Sequence, residues 1–308
     1  MNEKLQDENF HIWSPSCFWG DQMFNLMTAQ RLARARSTPS MRLDKAVIIH
    51  TWKDAWCGHT QEWLSMDYNI LQFWTKVGFI KGIIFDIDQR NPIDVECERS
   101  KYPVHMTLLN HSELSSEGFT YDISNDIDFS SFPDHQQLGG VIDEYRRRRD
   151  GGEKIAVFQP ISILHRNKED IELEYIAPWD QCIEALLDKE YKIVAIGSDK
   201  DVADVEKYYP NLFDRYPIEN LMGKTSMFES IDLVMNCASF VLSCDSWSAW
   251  YGISSRVKTA VAAGKTFRSG QDTAYILALG NEDIYKLDYA YDKEECDTNL
   301  ANWIKDNA

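Results

Sequence analysis

The sequence predicts an α/β protein built as two doubly wound domains. Three observations carry that prediction. The chain has 308 residues, more than one ordinary domain and close to two of about 150. Short apolar runs that read as buried strands alternate with amphipathic stretches that read as helices, the order a parallel sheet requires. The segment RRRRDGGEK, 146–154, runs from a basic helix end through two glycines into a fresh strand. Basic residues in a last turn followed by glycine are helix C-terminus chemistry, so the chain divides into domains 1–150 and 151–308.

In the first half, KAVIIH (45–50), GIIFDI (82–87) and VHMTLL (104–109) read as strands. GDQMFNLMTAQRLARARS (20–37) and HTQEWLSMDYNILQFWTKVG (59–78) read as helices, with Phe24, Met27 and Leu32 on an apolar stripe of the first. The alternation is cleaner in the second half. KIAVFQP (154–160), KIVAIGS (192–198), SFVLSC (239–244) and RVKTAVAAG (256–264) read as strands. APWDQCIEALLDKEY (177–191) is a helix with Trp179, Cys182, Ile183, Leu186 and Leu187 inward, and KDVADVEKYYP (200–210) is a shorter one. SMFESIDLVMNCA (226–238) opens with Ser226 and has Glu229 three residues on, a capping box. SWSAWYGIS (246–254) starts another helix, and NLANWIKDNA (299–308) reads as the last.

Composition narrows the function. Hydrophobic residues at 44% describe a globular chain, and no apolar run reaches the roughly 18–20 residues of a membrane span. The opening MNEKLQDENFHIW is acidic and polar, unlike a secretory signal. Seven scattered cysteines without a CxxC read as reduced thiols, so a cytoplasmic location is expected. Cys237 and Cys244, in apolar runs, read as core. The seven histidines show no HxH or HxxxH spacing, and no dedicated metal site is expected. A net charge of −17 opposes long-range attraction of nucleic acid. The basic run Arg146–Arg149 is either a solvated helix end or a local site for an anionic partner.

In an open parallel sheet a ligand lies at the carboxyl ends of the strands. Three segments of the second half converge there. Gly197-Ser198 closes one strand with a residue that lets backbone approach a ligand. NLMGKTS (220–226) is a polar loop before a helix and carries Met222, Gly223, Lys224 and Thr225. VLSCDSWSAWYG (241–252) ends a strand on Asp245-Ser246 where a helix begins. Free N–H groups at such a start suit a diphosphate, with Asp245 as N-cap and Ser246 and the following amides binding. The same pair also fits a plain cap.

With these residues in place, NLMGKTSMFESIDLVMNCASFVLSCDSWSAWYG resembles the signature of the heptosyltransferase-like glycosyltransferases, approximately L-x-G-K-T-S-L-x-E, a helix, then a strand ending D-S/T-G-x-x-H-L-A. APWDQCIEALLDKEYKIVAIGS is similar to the preceding P-x-x-W segment, strand and glycine, and FWGDQMFNLMTAQRLA to the Gly-Asp opening of the family. The likeness covers roughly 155–264 and a short stretch near the start.

The resemblance implies a GT-B-like fold, two Rossmann-like domains facing a central cleft, with the nucleotide sugar in the second domain and the acceptor in the first. It implies inversion without a metal, no cofactor beyond the nucleotide-sugar co-substrate, and Asp21 as general base on the acceptor hydroxyl. Asp21 also fits an N-cap of the helix it precedes. The implied donor set is Ser162, Lys168, Gly197, Ser198, Met222, Gly223, Lys224, Thr225, Asp245, Ser246 and Trp247. On the acceptor side stand Trp19, Gly20, His50 and Trp52, of which the tryptophan faces can stack on a sugar. The chain departs from the pattern where Trp247 replaces the glycine and Trp250 the histidine. The phosphate-binding lysine before P-x-x-W has no direct counterpart, with Arg166 and Lys168 near its place.

Other readings stay open. Asp86-x-Asp88 after a strand has the spacing of a divalent-metal diphosphate site, although Asp126-x-Asp128 and Asp199-x-Asp201 repeat it in a chain with 49 acidic residues. A nucleotide-sugar epimerase shares the two-domain architecture. A viral-type DNA base glycosyltransferase would use Arg146–Arg149. A non-catalytic nucleotide-sugar binder would tolerate Trp247 and Trp250. The residues specify neither the nucleotide and sugar, nor the acceptor, nor the oligomeric state.

Overall fold

A computed structural model describes residues 10–13, 47–51, 54–57, 62–65, 80–85, 106–107, 141–161, 177–263, 284–289 and 293–308. The chain divides into two compact units, 1–116 with 125–128, and 117–124 with 129–308.

The first unit holds strands β1 (Phe10–Trp13), β2 (Val47–Thr51), β5 (Ile80–Phe85) and β6 (Met106–Thr107) in one parallel sheet of order β5-β2-β1-β6. Successive strands build outward from β1 on one side and β6 joins on the other, which is doubly wound topology with a switch between β1 and β6. β1 lies in the opening segment that reads as polar from sequence, because only four residues, FHIW, carry it. β3 (Asp54–Cys57) and β4 (Glu62–Ser65) form a separate antiparallel hairpin. The helix expected over 59–78 is thus corrected at Glu62–Ser65. The register sets Trp56 opposite Trp63, and tryptophan is a residue type that strands favour.

The second unit is a six-stranded parallel sheet of order β12-β11-β10-β7-β8-β9. Its strands are β7 (Ile155–Gln159), β8 (Lys192–Ala195), β9 (Ile218–Asn220), β10 (Phe240–Cys244), β11 (Lys258–Ala263) and β12 (Tyr285–Tyr289). The helices are α1 (Val141–Asp150), α2 (Asp180–Asp188), α3 (Asp199–Tyr208), α4 (Leu212–Arg215), α5 (Met227–Asp232), α6 (Trp247–Ser254) and α7 (Lys293–Asn307). β9 and β12, both edge strands, escape the sequence reading.

The core follows the alternation of the strands. Ala156 and Phe158, Phe240 and Leu242, and Ala260 and Ala262 face a cluster completed by Trp179, Cys182, Ile183 and Leu186 of the α2 segment and Leu300, Ala301 and Ile304 of α7. α7 packs on α2, β11 and β12 of its own unit. It also does something no local pattern announces. Trp179, the residue before α2, makes no side-chain cap. The Asp297 carboxylate reaches across from α7 and accepts the Gln181 and Cys182 N–H groups at 3.0 and 3.1 Å. The first turn of α2 is therefore capped by a residue far away in sequence.

α1, placed in the first domain by the sequence, lies in the second unit. Its basic end explains why. Arg146 pairs at 2.5 Å with Asp232, whose side chain is fully buried. Arg148 pairs with Glu153 and, at 3.0 Å, with Glu219. Arg149 holds Asp150 and the Asn236 carbonyl. Residues 233–237 continue α5 as a π-helical turn, so one segment supplies both Asp232 and Asn236. The expected glycine stop is present: Gly151 and Glu153 donate to the Arg147 and Arg148 carbonyls, and Gly152 has φ +87°.

Candidate functional site

The switch point of the second sheet lies between β7 and β10, the innermost strands that open its two halves. Loops leaving the carboxyl ends of neighbouring strands there form the crevice in which open α/β sheets bind ligands.

Two of these loops are tied together. After β8 the chain turns through Ile196, Gly197 and Ser198 into α3. After β9 it passes through Leu221, Met222, Gly223, Lys224 and Thr225 into α5. Leu221 N–H donates to the Ala195 carbonyl and Gly223 N–H to the Gly197 carbonyl, both at 2.9 Å. Gly223 has φ +69°, and a Cβ there would lie 2.9 Å from Asp199 Cα, so only glycine fits. A Cβ on Gly197 would meet Met222 Cε at 3.0 Å. The two glycines and Met222 therefore sit together. Ser198 caps α3: its N–H and hydroxyl both donate to Asp201 Oδ2, at 2.6 and 2.8 Å. Asp201 is buried. The Asp199-x-Asp201 pair is thus built as a cap, with Asp201 turned to the backbone.

Lys224 is exposed, and its Nζ donates to the Asn220 carbonyl at 2.7 Å. The Thr225 and Ser230 hydroxyls meet at 2.8 Å. The capping box read from sequence is present, with Ser226 accepting from Glu229 N–H at 3.2 Å and Glu229 Oε2 accepting from Ser226 N–H at 2.8 Å.

The third loop follows β10. Asp245 N–H donates to the Ala262 carbonyl at 3.0 Å and so extends the β10–β11 pairing by one residue. That makes Ser246 the N-cap of α6, a correction to the assignment of Asp245. The Ser246 side chain makes no cap bond. Behind it the Ser243 and Ser248 hydroxyls meet at 2.7 Å. Gly252 lets α6 lie close on the sheet, because a Cβ there would come within 2.8 Å of Thr259 Oγ1 and 2.9 Å of Val241 Cγ2. Trp250 is buried and packs α6 to its unit, while Trp247 is half-buried at the first helical position with its ring edge-to-face on Tyr251. Burial pushes the Tyr251 phenol well above its ordinary range, so it stays protonated.

Trp179 was legible only as a core residue. Its indole Nε1 donates to the Pro160 carbonyl at 3.3 Å, and its ring meets Phe158 edge-to-face. It fixes the chain as it leaves β7 at the switch point.

Of the nine described members of the expected donor set, Gly197, Ser198, Met222, Gly223, Lys224, Thr225, Asp245 and Ser246 lie in these three loops, and Trp247 is the first residue of α6. β10 and β9 are separated by β7 and β8, so the loops span about 14 Å of the sheet edge, three strand spacings. Ser162, Lys168, Trp19, Gly20, Asp21, Trp52, Asp86 and Asp88 lie outside the described residues. His50 is in β2, in register with Trp13 of β1 and Ile84 of β5, one residue before the strand ends. The arginine cluster is at the far edge: α1 leads into the start of β7, opposite the carboxyl ends. Its carboxylate partners already lie in the same unit.

Among the described residues no group of three or more His, Cys, Asp or Glu side chains could hold a metal ion, and no helix is long and apolar enough to cross a membrane. Cys182, Cys237, Cys244 and Cys296 are free and buried.

No family model matches the chain, and no curated protein sequence does. Solved structures do share its fold. The glycosyl transferase family 9 protein from Veillonella parvula DSM 2008 aligns with a TM-score of 0.55 at 10% identity, over 100% of this chain and 98% of its own. Escherichia coli heptosyltransferase WaaC with ADP aligns at 0.51 and 11% identity, over 97% of this chain and 99% of its own. The same heptosyltransferase with ADP-2-deoxy-2-fluoro heptose gives 0.50 at 11% identity, over 97% and 99%. The fold of this chain is the α/β fold of these GT-B glycosyltransferases.

Proposed function

We propose that the chain is a glycosyltransferase that binds a nucleotide-diphosphate sugar at the carboxyl edge of its second sheet and transfers the sugar, with inversion, to an acceptor hydroxyl. One observation supports the reading: the loops after β8, β9 and β10, with the first residue of α6, carry nine expected donor residues along the carboxyl edge of a sheet whose fold is shared by a solved heptosyltransferase with ADP. The start of α6 supplies backbone N–H groups for the diphosphate, and Lys224, in the loop after β9, a positive charge on the same edge of the sheet.

In the reaction Asp21 accepts the proton of the acceptor hydroxyl. The acceptor oxygen bonds the anomeric carbon, the bond from that carbon to the diphosphate oxygen breaks, and the nucleoside diphosphate leaves on the helix end. No metal or further cofactor takes part. The assignment of Asp21 is supported by its place in sequence: the segment carrying Gly20-Asp21 follows β1, and the first sheet has its switch between β1 and β6.

A thermal-shift screen of the purified chain against nucleoside diphosphates and their sugars, with and without Mg²⁺, tests the donor site. A ligand at 100 times its Kd stabilises by about 2.7 kcal/mol. The expected result is a shift of several degrees with one nucleotide family, unchanged by Mg²⁺. A shift that needs Mg²⁺ transfers the donor to Asp86 and Asp88, and no shift with any nucleotide refutes the reading.

A further inference from the structure

Gln159 is the last residue of β7, the strand at the switch point, and its side chain is buried at 3% exposure. Its Nε2 donates to the Ile161 carbonyl at 3.4 Å, while its Oε1, also buried, accepts no hydrogen bond. The β7–β10 register pairs Gln159 with Ser243. Paired residues of neighbouring strands project from one face, and Ser243 bonds Ser248 in the first turn of α6. The Gln159 carboxamide therefore shares the face and the edge at which α6 begins. A buried carbonyl left without a donor is unfavourable, and a native fold retains one where a ligand completes it.

We infer that Gln159 Oε1 accepts a hydrogen bond from a ring hydroxyl of the nucleotide sugar, making Gln159 a specificity residue of the donor site. The inference rests on the donor-site reading above. An ionised diphosphate has no hydrogen to give to Oε1, and one of the two amide N–H groups is already engaged with Ile161. The groups flanking a diphosphate at the start of α6 are the ribose on one side and the transferred sugar on the other, and both carry hydroxyls.

The test is titration calorimetry of wild type, Gln159→Leu and Gln159→Met with pyrophosphate, the common nucleoside diphosphates, the 2′,3′-dideoxy form of the best of them, and its nucleotide sugars. If the ribose is the partner, wild type prefers the diphosphate over its dideoxy form about tenfold, the cost of one buried unpaired acceptor, and both variants lose that preference. If the sugar is the partner, the variants lose the preference for nucleotide sugar over nucleoside diphosphate instead. Pyrophosphate affinity is unchanged in either case. Preferences that survive in both variants overturn the inference, and so does an equal loss for every probe including pyrophosphate. Ligand-free melting shows which variant is folded, and Gln159→Met serves if the leucine does not fit. If wild type binds no nucleotide, the donor-site reading itself fails and takes the inference with it.

Discussion

Replacing Arg146 with methionine removes the cation facing Asp232 while keeping most of the apolar stem. The carboxylate is fully buried and the arginine about a third exposed. Asp232 keeps the Asn236 amide at 2.7 Å, so it stays partly satisfied. Removing one partner of a buried pair costs about 3–5 kcal/mol, and the remaining amide sets the expectation at the lower end, about 3 kcal/mol. For a domain of this size that is a fall in melting temperature of about 6–12 °C. Urea unfolding followed by tryptophan fluorescence reads the loss. Arg147→Met is the internal control: the Arg147 Nε donates to the Asp143 carbonyl within its own helix at 3.3 Å, and the change should cost about 0.5 kcal/mol or less. The double change Arg146→Met with Asp232→Leu should recover most of the loss, because no charge is left buried. If Arg146→Met and Arg147→Met cost the same, the cluster does not anchor α1, and a role for these arginines toward an anionic partner must be reopened.

Three further outcomes can be checked. Gly252→Ala puts a methyl against Thr259 Oγ1 and Val241 Cγ2, and overpacking of this kind should lower stability by about 1–3 kcal/mol in thermal melts. Burial pushes the Asp297 carboxyl above its ordinary value of 3.8. The folded state then holds this proton more tightly than the unfolded chain, so the contribution is fully present below that value and is lost as pH rises through the raised one. Wild type should accordingly lose stability relative to Asp297→Asn as pH rises from below 3.8 in denaturant titrations, and a difference that stays constant would show that Asp297 does not titrate there. Asp21→Asn should leave nucleotide binding intact and slow transfer at least about 100-fold, measured by release of nucleoside diphosphate in the presence of acceptor.

Much of the second unit was legible because its signals are local. Gly151-Gly152 ends a helix, Ser226 and Glu229 form their box, and the run FVLSC becomes a strand because each of its residues can be buried in a parallel sheet. β9 and β12 were not legible, since IEN and YKLDY are short edge strands whose pairing comes from a neighbour rather than from their own pattern. The Asp245 assignment missed by one residue, because strand pairing to Ala262 takes Asp245 before the helix can, and that pairing is tertiary. The Gly223 requirement follows from Asp199 in another loop, and the Gln159 acceptor from a fold that buries it. The loops at the carboxyl edge were legible because glycines and strand-ending polar residues mark them in one dimension. The contacts that shape it belong to three.

The cap that Asp297 places on α2 has a consequence for the order of events during synthesis. Cys182 and Asp297 are 115 positions apart, so α2 emerges from the ribosome well before the carboxylate that satisfies its first turn. β7, β8 and α3 can collapse around Phe158 and Trp179 in the meantime, but the face of the sheet that α7 covers stays open and α2 keeps a frayed start. Closure of the unit then waits on a long-range contact, which is slow to find. Until α7 has been added, the apolar side chains that Leu300, Ala301 and Ile304 cover stay open to water, and the carboxyl edge of the sheet is borne on an unfinished domain.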